Sequence, residues 1–248
     1  MNAFIQQLPA TTKVLDLGSA TGSFDAATTR ARVFRVDLAA RGSGNFANAD
    51  AAALPFADKA CDVVIANHSL EHFEKLDEAI HEIARVIKPD GALIVTVPDA
   101  TTLADRLYRW HGRGGGHVNA FTTEEQLRAR IVAITGLQPT ATTVLHSGFT
   151  FLNRHRVPKI QKKLLLIGGG SETLLRYFTY FARVCDKYFH TRLGVYGWAY
   201  YFGSYTPPNE RARPNVCIRC GAGHDAESFA TKRYRCPNCG ALNIRTTV

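Results

Sequence analysis

The sequence predicts an α/β fold, a parallel sheet with helices on both faces, followed by a small cysteine-bearing module. Three observations carry this prediction. Up to about residue 148, short β-branched runs alternate with stretches of helical periodicity, which is typical of parallel strands joined by helical crossovers. A basic and aromatic segment follows, and two Cys-x-x-Cys pairs stand in the last part of the 248 residues. This length fits one domain with a small appendage.

Strands are predicted where β-branched residues cluster between turn residues. The predicted strands are Lys13–Leu17, Val33–Leu38, Phe46–Ala49, Asp62–Asn67 and Ala92–Val97. Between the last two, apolar residues recur at spacings of three and four from Leu76 to Ile87, which predicts an amphipathic helix ending at Pro89-Asp90-Gly91. A second helix is predicted over Thr122–Thr135, with Thr122 as its cap and Glu125 three residues on as in a capping box.

Residues 149–206 form a segment of different composition. Its run Phe151–Lys163 carries five Lys and Arg and no acid. Ser171 is a candidate N-cap, and the expected helix places Leu174, Phe178, Phe181, Cys185 and Tyr188 on one apolar face, with Arg176, Arg183 and Lys187 off it. An aromatic strand is expected at Val195–Phe202. We therefore expect three parts: a core over 1–148, an insertion over 149–206 that ends in the last strand of the core, and a cysteine module over 207–248.

The charge of the chain is unevenly distributed. The net charge is +9, but residues 1–110 carry 11 basic and 14 acidic side chains, whereas residues 111–206 carry 12 and four and residues 207–248 carry seven and three. A basic second half is expected to face an anionic partner such as nucleic acid, a lipid headgroup or an anionic substrate. The composition excludes disorder, and the sequence has neither a transmembrane run nor a signal peptide, so we expect a cytoplasmic protein.

The string VLDLGSATG at 14–22 is a strand that turns through glycines toward a helix. It resembles the first motif of class I S-adenosylmethionine (SAM) dependent methyltransferases, whose fold is Rossmann-like. Gly18 and Gly22 let the backbone approach a ligand closely. By this resemblance Asp16, Gly18, Ala20 and Gly22 belong to the cofactor site. Ala20 stands where the family usually has glycine, and a methyl group is tolerated there if φ is negative.

Later segments extend the resemblance over about 120 residues. Asp37 ends the second strand, where a carboxylate binds ribose hydroxyls in methyltransferases and in dinucleotide-binding dehydrogenases alike. The segments NADAAALPF (48–56), CDVVIANHSLEHF (61–73) and VIKPDGALIVTVPD (86–99) resemble methyltransferase motifs that a dehydrogenase does not predict. The resemblance implies that Asp50 contacts the adenine amine, that Ala51 lies at the adenine face, and that Asn67, His68 and Ser69 line the methionine end.

The acceptor is expected to be a small molecule. Asn67-His68-Ser69-Leu70 differs from the Asp/Asn-Pro-Pro-aromatic and Pro-Cys motifs of methyltransferases that act on nucleic-acid bases, and neither Cys61 nor Cys185 is placed as a nucleophile. His72 and His117 are the leading candidates for a catalytic base among four histidines that include His68 and His111; surface or capping roles are the alternative for each. The loop His111–Gly116 and the insertion are expected to cover the substrate, although the aromatic residues of the insertion also fit simple packing on the sheet.

Cys217, Cys220, Cys236 and Cys239 form two pairs with the spacing of zinc knuckles, and Gly221 and Gly240 follow them. The module resembles a zinc ribbon. Four thiolates leave no open coordination position, so the Zn²⁺ is expected to be structural; disulfides or a redox pair are the alternative. The cluster Lys232-Arg233-Tyr234-Arg235 fits either a solvated hairpin edge or a surface for RNA or DNA. A nucleic-acid-associated methyltransferase or binding protein, and a peripheral membrane protein with a lipid-like substrate, therefore remain alternatives.

Overall fold

The computed structural model describes residues 2–20, 22–38, 44–111, 116–156, 170–207, 215–224 and 229–246. Five α-helices lie in these ranges: α1 (Asn2–Gln7), α2 (Leu76–Val86), α3 (Leu103–His111), α4 (Glu124–Thr135) and α5 (Glu172–Phe189). The strands are β1 (Lys13–Leu17), β2 (Arg32–Asp37), β3 (Phe46–Asn48), β4 (Cys61–Asn67), β5 (Ile87–Pro98), β6 (Pro139–His146), β7 (Val195–Gly203), β8 (Asn215–Val216), β9 (Gly223–His224), β10 (Arg233–Arg235) and β11 (Leu242–Ile244). None of the described helices is long and apolar enough to cross a membrane.

Seven strands form one sheet in the order β3-β2-β1-β4-β5-β7-β6, which confirms the predicted α/β class. β1 pairs in parallel with β2 on one side and with β4 on the other. Strands β2 and β3 are therefore added on one side of β1 and the later strands on the other, so the strand order reverses at β1. In open parallel sheets, ligands bind beyond the carboxyl ends of the strands at such a reversal.

The chain divides into two compact units. The first comprises Met1–Asp99, His117–Thr143 and Trp198–Asn209, and the second Ala100–Gly116, Val144–Gly197 and Glu210–Val248. The core of the first unit is built from β1, β4 and β5 with the apolar faces of α2 and α4; Leu15, Val64 and Leu127 are fully buried in it. The second unit has its own cluster, in which Phe149, Ala182 and Ile218 are buried. The three-part division expected from the sequence stays a prediction.

Two predicted element ends are wrong. Helix α2 ends at Val86, and Ile87 begins β5 opposite Cys61, so that Pro89-Asp90-Gly91 lies inside the strand. An irregularity in the pairing between Cys61 and Val63 accommodates the extra residues. The cap of α4 is Thr123 rather than Thr122: its hydroxyl accepts a hydrogen bond from the Gln126 N–H at 3.3 Å, which replaces the capping box expected from Thr122 and Glu125.

The predicted apolar face of α5 is wrong for three of its five residues, whereas Cys185 is buried and Phe178 packs against the apolar cluster of the second unit. Leu174, Phe181 and Tyr188 are more than half exposed. Besides Cys185, the helix buries Leu175, Thr179, Ala182 and Arg183. The helix has one broad apolar side and one polar side, but the face it buries is rotated toward the polar side, where Thr179 and Arg183 lie. The packing partners within the second unit set this rotation, which periodicity alone does not predict. Ser171 does cap the helix, accepting from the Leu174 N–H at 3.3 Å.

Candidate functional site

The turn after β1 requires glycine at position 18. Gly18 has φ +64°, and a Cβ added there would lie 2.5 Å from the Cβ of Ser69. The Gly18 N–H donates to the Val36 carbonyl at 2.8 Å, which holds the turn against β2. The turn is therefore held in a fixed position, and its backbone is open to close approach by a ligand.

Ala20 departs from the expectation for its position. Its φ is +45°, in the left-handed region, so the condition of negative φ on which the methyl group was accepted is not met. The Ala20 N–H donates to the Asp37 carboxylate at 2.8 Å. This contact between the first and second motifs keeps Ala20 in a conformation that glycine adopts without strain.

Asp16 and Gly22 stabilise the turn after β1 through Ser23 and Arg35. Asp16 is fully buried, accepts from the Ser23 N–H at 2.9 Å and lies 3.6 Å from the Arg35 Nε. Burial raises the pKa of its carboxyl group, against the opposing effect of Ser23 and Arg35. Gly22 has φ +115°, and an added Cβ would lie 2.5 Å from the Arg35 guanidinium. Neither Asp16 nor Gly22 lines the cavity described next.

A cavity of about 470 Å³ opens beside this turn, within the first unit. Its volume is in the range of small-molecule and cofactor sites. Residues from the ends of β1, β2 and β4 and from the loops that follow them form its wall. They are Leu17, Gly18, Ala20, Val36, Asp37, Leu38, Ala49, Asp50, Ala51, His68, Ser69, His72, Phe73, Glu74 and Lys75.

Eight of the predicted site residues meet in this cavity: Gly18, Ala20, Asp37, Asp50, Ala51, His68, Ser69 and His72. Sequence reasoning missed Leu38 and Phe73. Leu38 is two-thirds exposed at the cavity, although it is large and apolar. The signal for Leu38 in the sequence is its place directly after Asp37, the last residue of β2, where an apolar side chain can lie against a nucleobase.

At the end of β4, His68 lines the cavity and Asn67 does not. The Asn67 amide oxygen accepts from the Thr96 hydroxyl at 2.7 Å, and Asn67 is not among the cavity-lining residues. His68 has φ +53°, and its N–H donates to the Thr96 carbonyl at 3.0 Å. The chain is thus turned so that His68 and the buried Ser69 reach the cavity.

His72 and His117 lie together at the edge of the cavity. Their ring centroids are 4.9 Å apart in an edge-to-face arrangement, and His72 lines the cavity whereas His117 does not. The Glu71 carbonyl accepts from the N–H groups of Val118 at 2.8 Å and Asn119 at 3.0 Å, which joins the two loops. Glu71 and Asn119, which create this pairing, were missed because each acts through contacts distant in sequence.

The four paired cysteines converge in the second unit. Their sulfur atoms all lie within 4.8 Å of one another, and the Cys217–Cys239 and Cys220–Cys236 Sγ pairs are each 3.6 Å apart. These separations are too long for disulfides. They match the roughly 3.8 Å edge of a tetrahedron whose Zn–S bonds are about 2.3 Å. The residues present therefore fit a four-thiolate zinc site.

The two knuckles have the same backbone geometry. In one, the Gly221 N–H donates to the Cys217 carbonyl at 2.9 Å; in the other, the Gly240 N–H donates to the Cys236 carbonyl at 2.8 Å, and both glycines have positive φ. Burial acts to raise the pKa of Cys217, but hydrogen bonds from the N–H groups of Cys220 and Arg219 and from the side chains of Asn243 and Cys239 together hold it below its ordinary value. Burial raises the pKa of Cys220 to about 12. Four thiolates therefore form together only when a cation balances them.

His224 and Asn243 surround the cysteines and were not singled out in the sequence. The His224 Nε2 lies 3.2 Å from the Cys236 Sγ, and the buried Asn243 amide donates to the Cys217 Sγ at 3.5 Å. Such contacts orient sulfur ligands in metal sites.

A basic groove of about 270 Å³ lies on α5 and the cysteine module, within the second unit. Four cationic side chains line it: Arg183, Lys187, Lys232 and Arg245. Lys232 stands 5.1 Å from the ring centroid of Tyr180. The loop His111–Gly116 and the run Phe151–Lys163, expected to cover the substrate, lie largely outside the described residues.

Comparisons with known proteins agree with this geometry. Residues 15–95 match a family described as methyltransferase domain. The malonyl-[acyl-carrier protein] O-methyltransferase of Methylococcus capsulatus is 35% identical over 144 residues, which are 49% of this chain and 52% of that protein. The ubiquinone/menaquinone biosynthesis C-methyltransferase UbiE of Pasteurella multocida is 35% identical over 103 residues, 34% of this chain and 38% of the relative. The chain thus spans about half or less of the length of these relatives.

A crystal structure of the YcgJ protein from Bacillus subtilis shares the fold, with a TM-score of 0.51 and 18% identity over 83% of this chain and 97% of that one. The matched segment 15–95 covers β1 to β5 with α2, and includes every predicted cofactor residue. Residues 15–95 are thus similar to a methyltransferase domain, and the sheet has the Rossmann-like α/β fold of the structure it resembles.

Proposed function

We propose that the chain binds SAM in the cavity beside Gly18 and transfers its methyl group to a small-molecule acceptor. The observation that carries this proposal is the convergence of Gly18, Asp37, Asp50 and His68 on one cavity at the reversal point of the sheet. Four separate segments of the chain supply these residues, in the order that the class I motifs require.

Each proposed cofactor contact uses a group with the right chemistry. One Asp37 oxygen accepts from Ala20, and a carboxylate has further acceptor capacity for ribose hydroxyls. Asp50 is exposed at the cavity and would accept from the adenine amine, while buried Ala51 would lie at the adenine face. His68 and Ser69 would lie at the methionine end. Asp16 and Gly22 would act by holding the turn.

Methyl transfer from SAM requires little chemical activation by the protein. The sulfonium methyl group is already activated, so the enzyme has to align the acceptor in line with it and exclude water. His72 lines the cavity and His117 lies against it, so either imidazole would take a proton from the acceptor.

The relatives narrow the acceptor by class. One is named for O-methylation of malonyl-acyl carrier protein and the other for C-methylation in quinone biosynthesis. An oxygen or carbon acceptor that becomes nucleophilic on losing a proton is common to both kinds of transfer. We propose such an acceptor for this chain, free or carried on a partner, and an anionic or lipid-like form of it agrees with the basic residues of 111–206.

The cysteine module is proposed to hold one structural Zn²⁺ on Cys217, Cys220, Cys236 and Cys239. Sulfur separations of 3.6 Å and two knuckles of equal geometry support this assignment.

Isothermal titration calorimetry with SAM and S-adenosylhomocysteine (SAH) tests the cofactor proposal. Both ligands should bind with a stoichiometry of one. Asp37→Ala should weaken SAH binding by about 1–3 kcal/mol, because the ribose contact and the hydrogen bond from Ala20 are both lost. Gly18→Ala should abolish binding, since the added Cβ meets Ser69 at 2.5 Å.

Gly136→Ala is the matched control for Gly18→Ala. Gly136 has φ +69°, close to that of Gly18, but an added Cβ there meets no atom of the described residues within 4 Å. This variant should lose some stability through backbone strain and still bind SAH. Binding of a nicotinamide nucleotide in place of SAM and SAH would contradict the proposal.

A further inference from the structure

We propose that Glu71, His72 and His117 bind one divalent transition-metal cation at the edge of the cavity. One carboxylate oxygen and one ring nitrogen of each histidine all lie within 4.8 Å of one another. Metal–ligand bonds of about 2.1 Å place neighbouring ligand atoms roughly 3 Å apart. Because His72 is exposed and His117 half-buried, small rotations of the rings bring the three atoms to that spacing.

The backbone holds the ligands together before any ion binds. The Glu71 carbonyl accepts from Val118 and Asn119, and the Asn119 amide donates to the carbonyls of Leu70 at 3.0 Å and Phe73 at 2.7 Å. These bonds fix the loop that carries His117 against the 3-10 turn Leu70–His72. A preformed arrangement lowers the entropy that is lost when an ion binds.

The Glu71 side chain is the second, independent observation. The residue is 1% exposed, and its Oε2 atom has no hydrogen-bond partner among the described residues. The other oxygen, Oε1, lies 3.5 Å from the Nδ1 of His68. A buried carboxylate oxygen without a partner is costly, and a cation beside it would compensate the charge.

The donor set indicates the class of ion. Two imidazoles and one carboxylate suit first-row cations such as Fe²⁺, Co²⁺, Mn²⁺ or Zn²⁺, and three protein ligands leave coordination positions open. With the ion bound, the two imidazoles act as its ligands instead of as bases, and because His72 lines the cavity, an acceptor oxygen would have access to an open position. That last role rests on the proposed function; binding of the ion does not.

Manganese is the probe that separates this site from the cysteines, because Mn²⁺ prefers oxygen and nitrogen ligands to thiolates. The full chain, loaded with zinc, is titrated with MnCl₂ while electron paramagnetic resonance measures free Mn²⁺. We expect one bound Mn²⁺ per chain. His72→Ala, His117→Ala and Glu71→Gln should each weaken binding by at least about tenfold. His81→Ala, at an exposed histidine of α2 outside the cluster, should bind as the unaltered chain does.

Calorimetry with SAH on each variant shows whether the cavity is intact and separates the two proposals. Reduced Mn²⁺ binding with normal SAH binding in His117→Ala, where the replaced side chain does not line the cavity, would support the metal site. Absence of Mn²⁺ and Co²⁺ binding at millimolar concentration, or binding that survives both histidine substitutions, would overturn it whatever SAH does. Mn²⁺ binding by the three residues without SAM or SAH binding would leave the metal site standing and contradict the proposed function.

Discussion

Ala20 shows how a single residue departs from the pattern of its motif. Its left-handed backbone puts the N–H on the Asp37 carboxylate, which is the geometry that glycine would give without strain. The side chain therefore destabilises the fold at a place where the backbone contact is useful. The sequence identified the departure but not the sign of φ.

Ala20→Gly should stabilise the protein. Relief of the left-handed conformation is worth about 1–2 kcal/mol, and the greater flexibility of unfolded glycine removes part of it, so the free energy of unfolding should rise by roughly 0.5–1 kcal/mol. Urea denaturation measures the change. Ala129→Gly, at an exposed position inside α4, is the control and should lose about 1 kcal/mol. Equal losses in both variants would show that Ala20 is not strained.

The other site residues differ in how well their roles can be predicted from the sequence alone. Gly18 was predicted from its motif because the requirement is local, a tight turn directly after a strand. Glu71 and Asn119 were not, because their roles come from hydrogen bonds between loops distant in sequence. Asn67 was predicted at the cavity, yet its amide pairs with Thr96 on the neighbouring strand.

At the scale of elements, sequence periodicity predicts a helix more securely than the face it buries. The α2 stripe has charged residues opposite it, and its predicted residues Leu76, Ile80 and Ile83 are buried. Helix α5 is also amphipathic, but it buries a face rotated toward its polar side, and the residue it buries most unexpectedly is Arg183. Burial lowers the pKa of Arg183 to about 10 and leaves it charged at neutral pH.

Arg183 affects the pH dependence of stability through His146, the last residue of β6. Burial, with the Arg183 charge as a second cause, lowers the pKa of His146 from 6.5 to about 3. The unfolded chain then binds a proton that the folded chain does not, so this histidine makes the free energy of unfolding fall as the pH drops from about 6.5 toward 3. His146→Gln removes that contribution.

Urea denaturation between pH 7 and pH 4 measures the effect, and the loss of stability should be smaller in His146→Gln than in the unaltered chain. Carboxylates and other histidines contribute equally to both curves and cancel in the difference. His81→Gln, at an exposed position, is the control and should follow the unaltered chain. Parallel curves for His146→Gln and the unaltered chain would contradict the buried, neutral state of His146.

At the scale of the whole molecule, the charge of +9 is a property of the second half of the chain. Part of it lines the groove that contains Arg183, Lys187, Lys232 and Arg245. Such a groove is suited to an anionic group. Binding of nucleic acid or of a membrane stays a prediction from this charge; the two relatives described above are named for methyl transfer to malonyl-acyl carrier protein and for ubiquinone/menaquinone biosynthesis.

The cysteine module is joined to the rest of the second unit by side chains that zinc would hold in place. Arg219, between the first two cysteines, donates to Glu172 of α5 at 2.9 Å. Arg176 of α5 donates to the Leu242 carbonyl at 2.7 Å, and Asn153 to that of Ile218 at 2.9 Å. A module of this size has a small apolar core, so a bound metal would supply much of its folding energy.

Removal of zinc should therefore loosen α5 together with the cysteine module, while β1 and β4 of the first unit keep their protection. Metal analysis should find one tightly bound Zn²⁺ that is lost in Cys236→Ser and kept in Cys185→Ser. Hydrogen exchange, measured before and after a strong chelator is added, should rise in 215–224, 229–246 and Glu172–Phe189 only. SAH binding should survive chelation, because the cavity residues lie in the first unit. Unchanged exchange in the module after the zinc has been removed would show that its own hydrogen bonds, rather than the metal, maintain its fold.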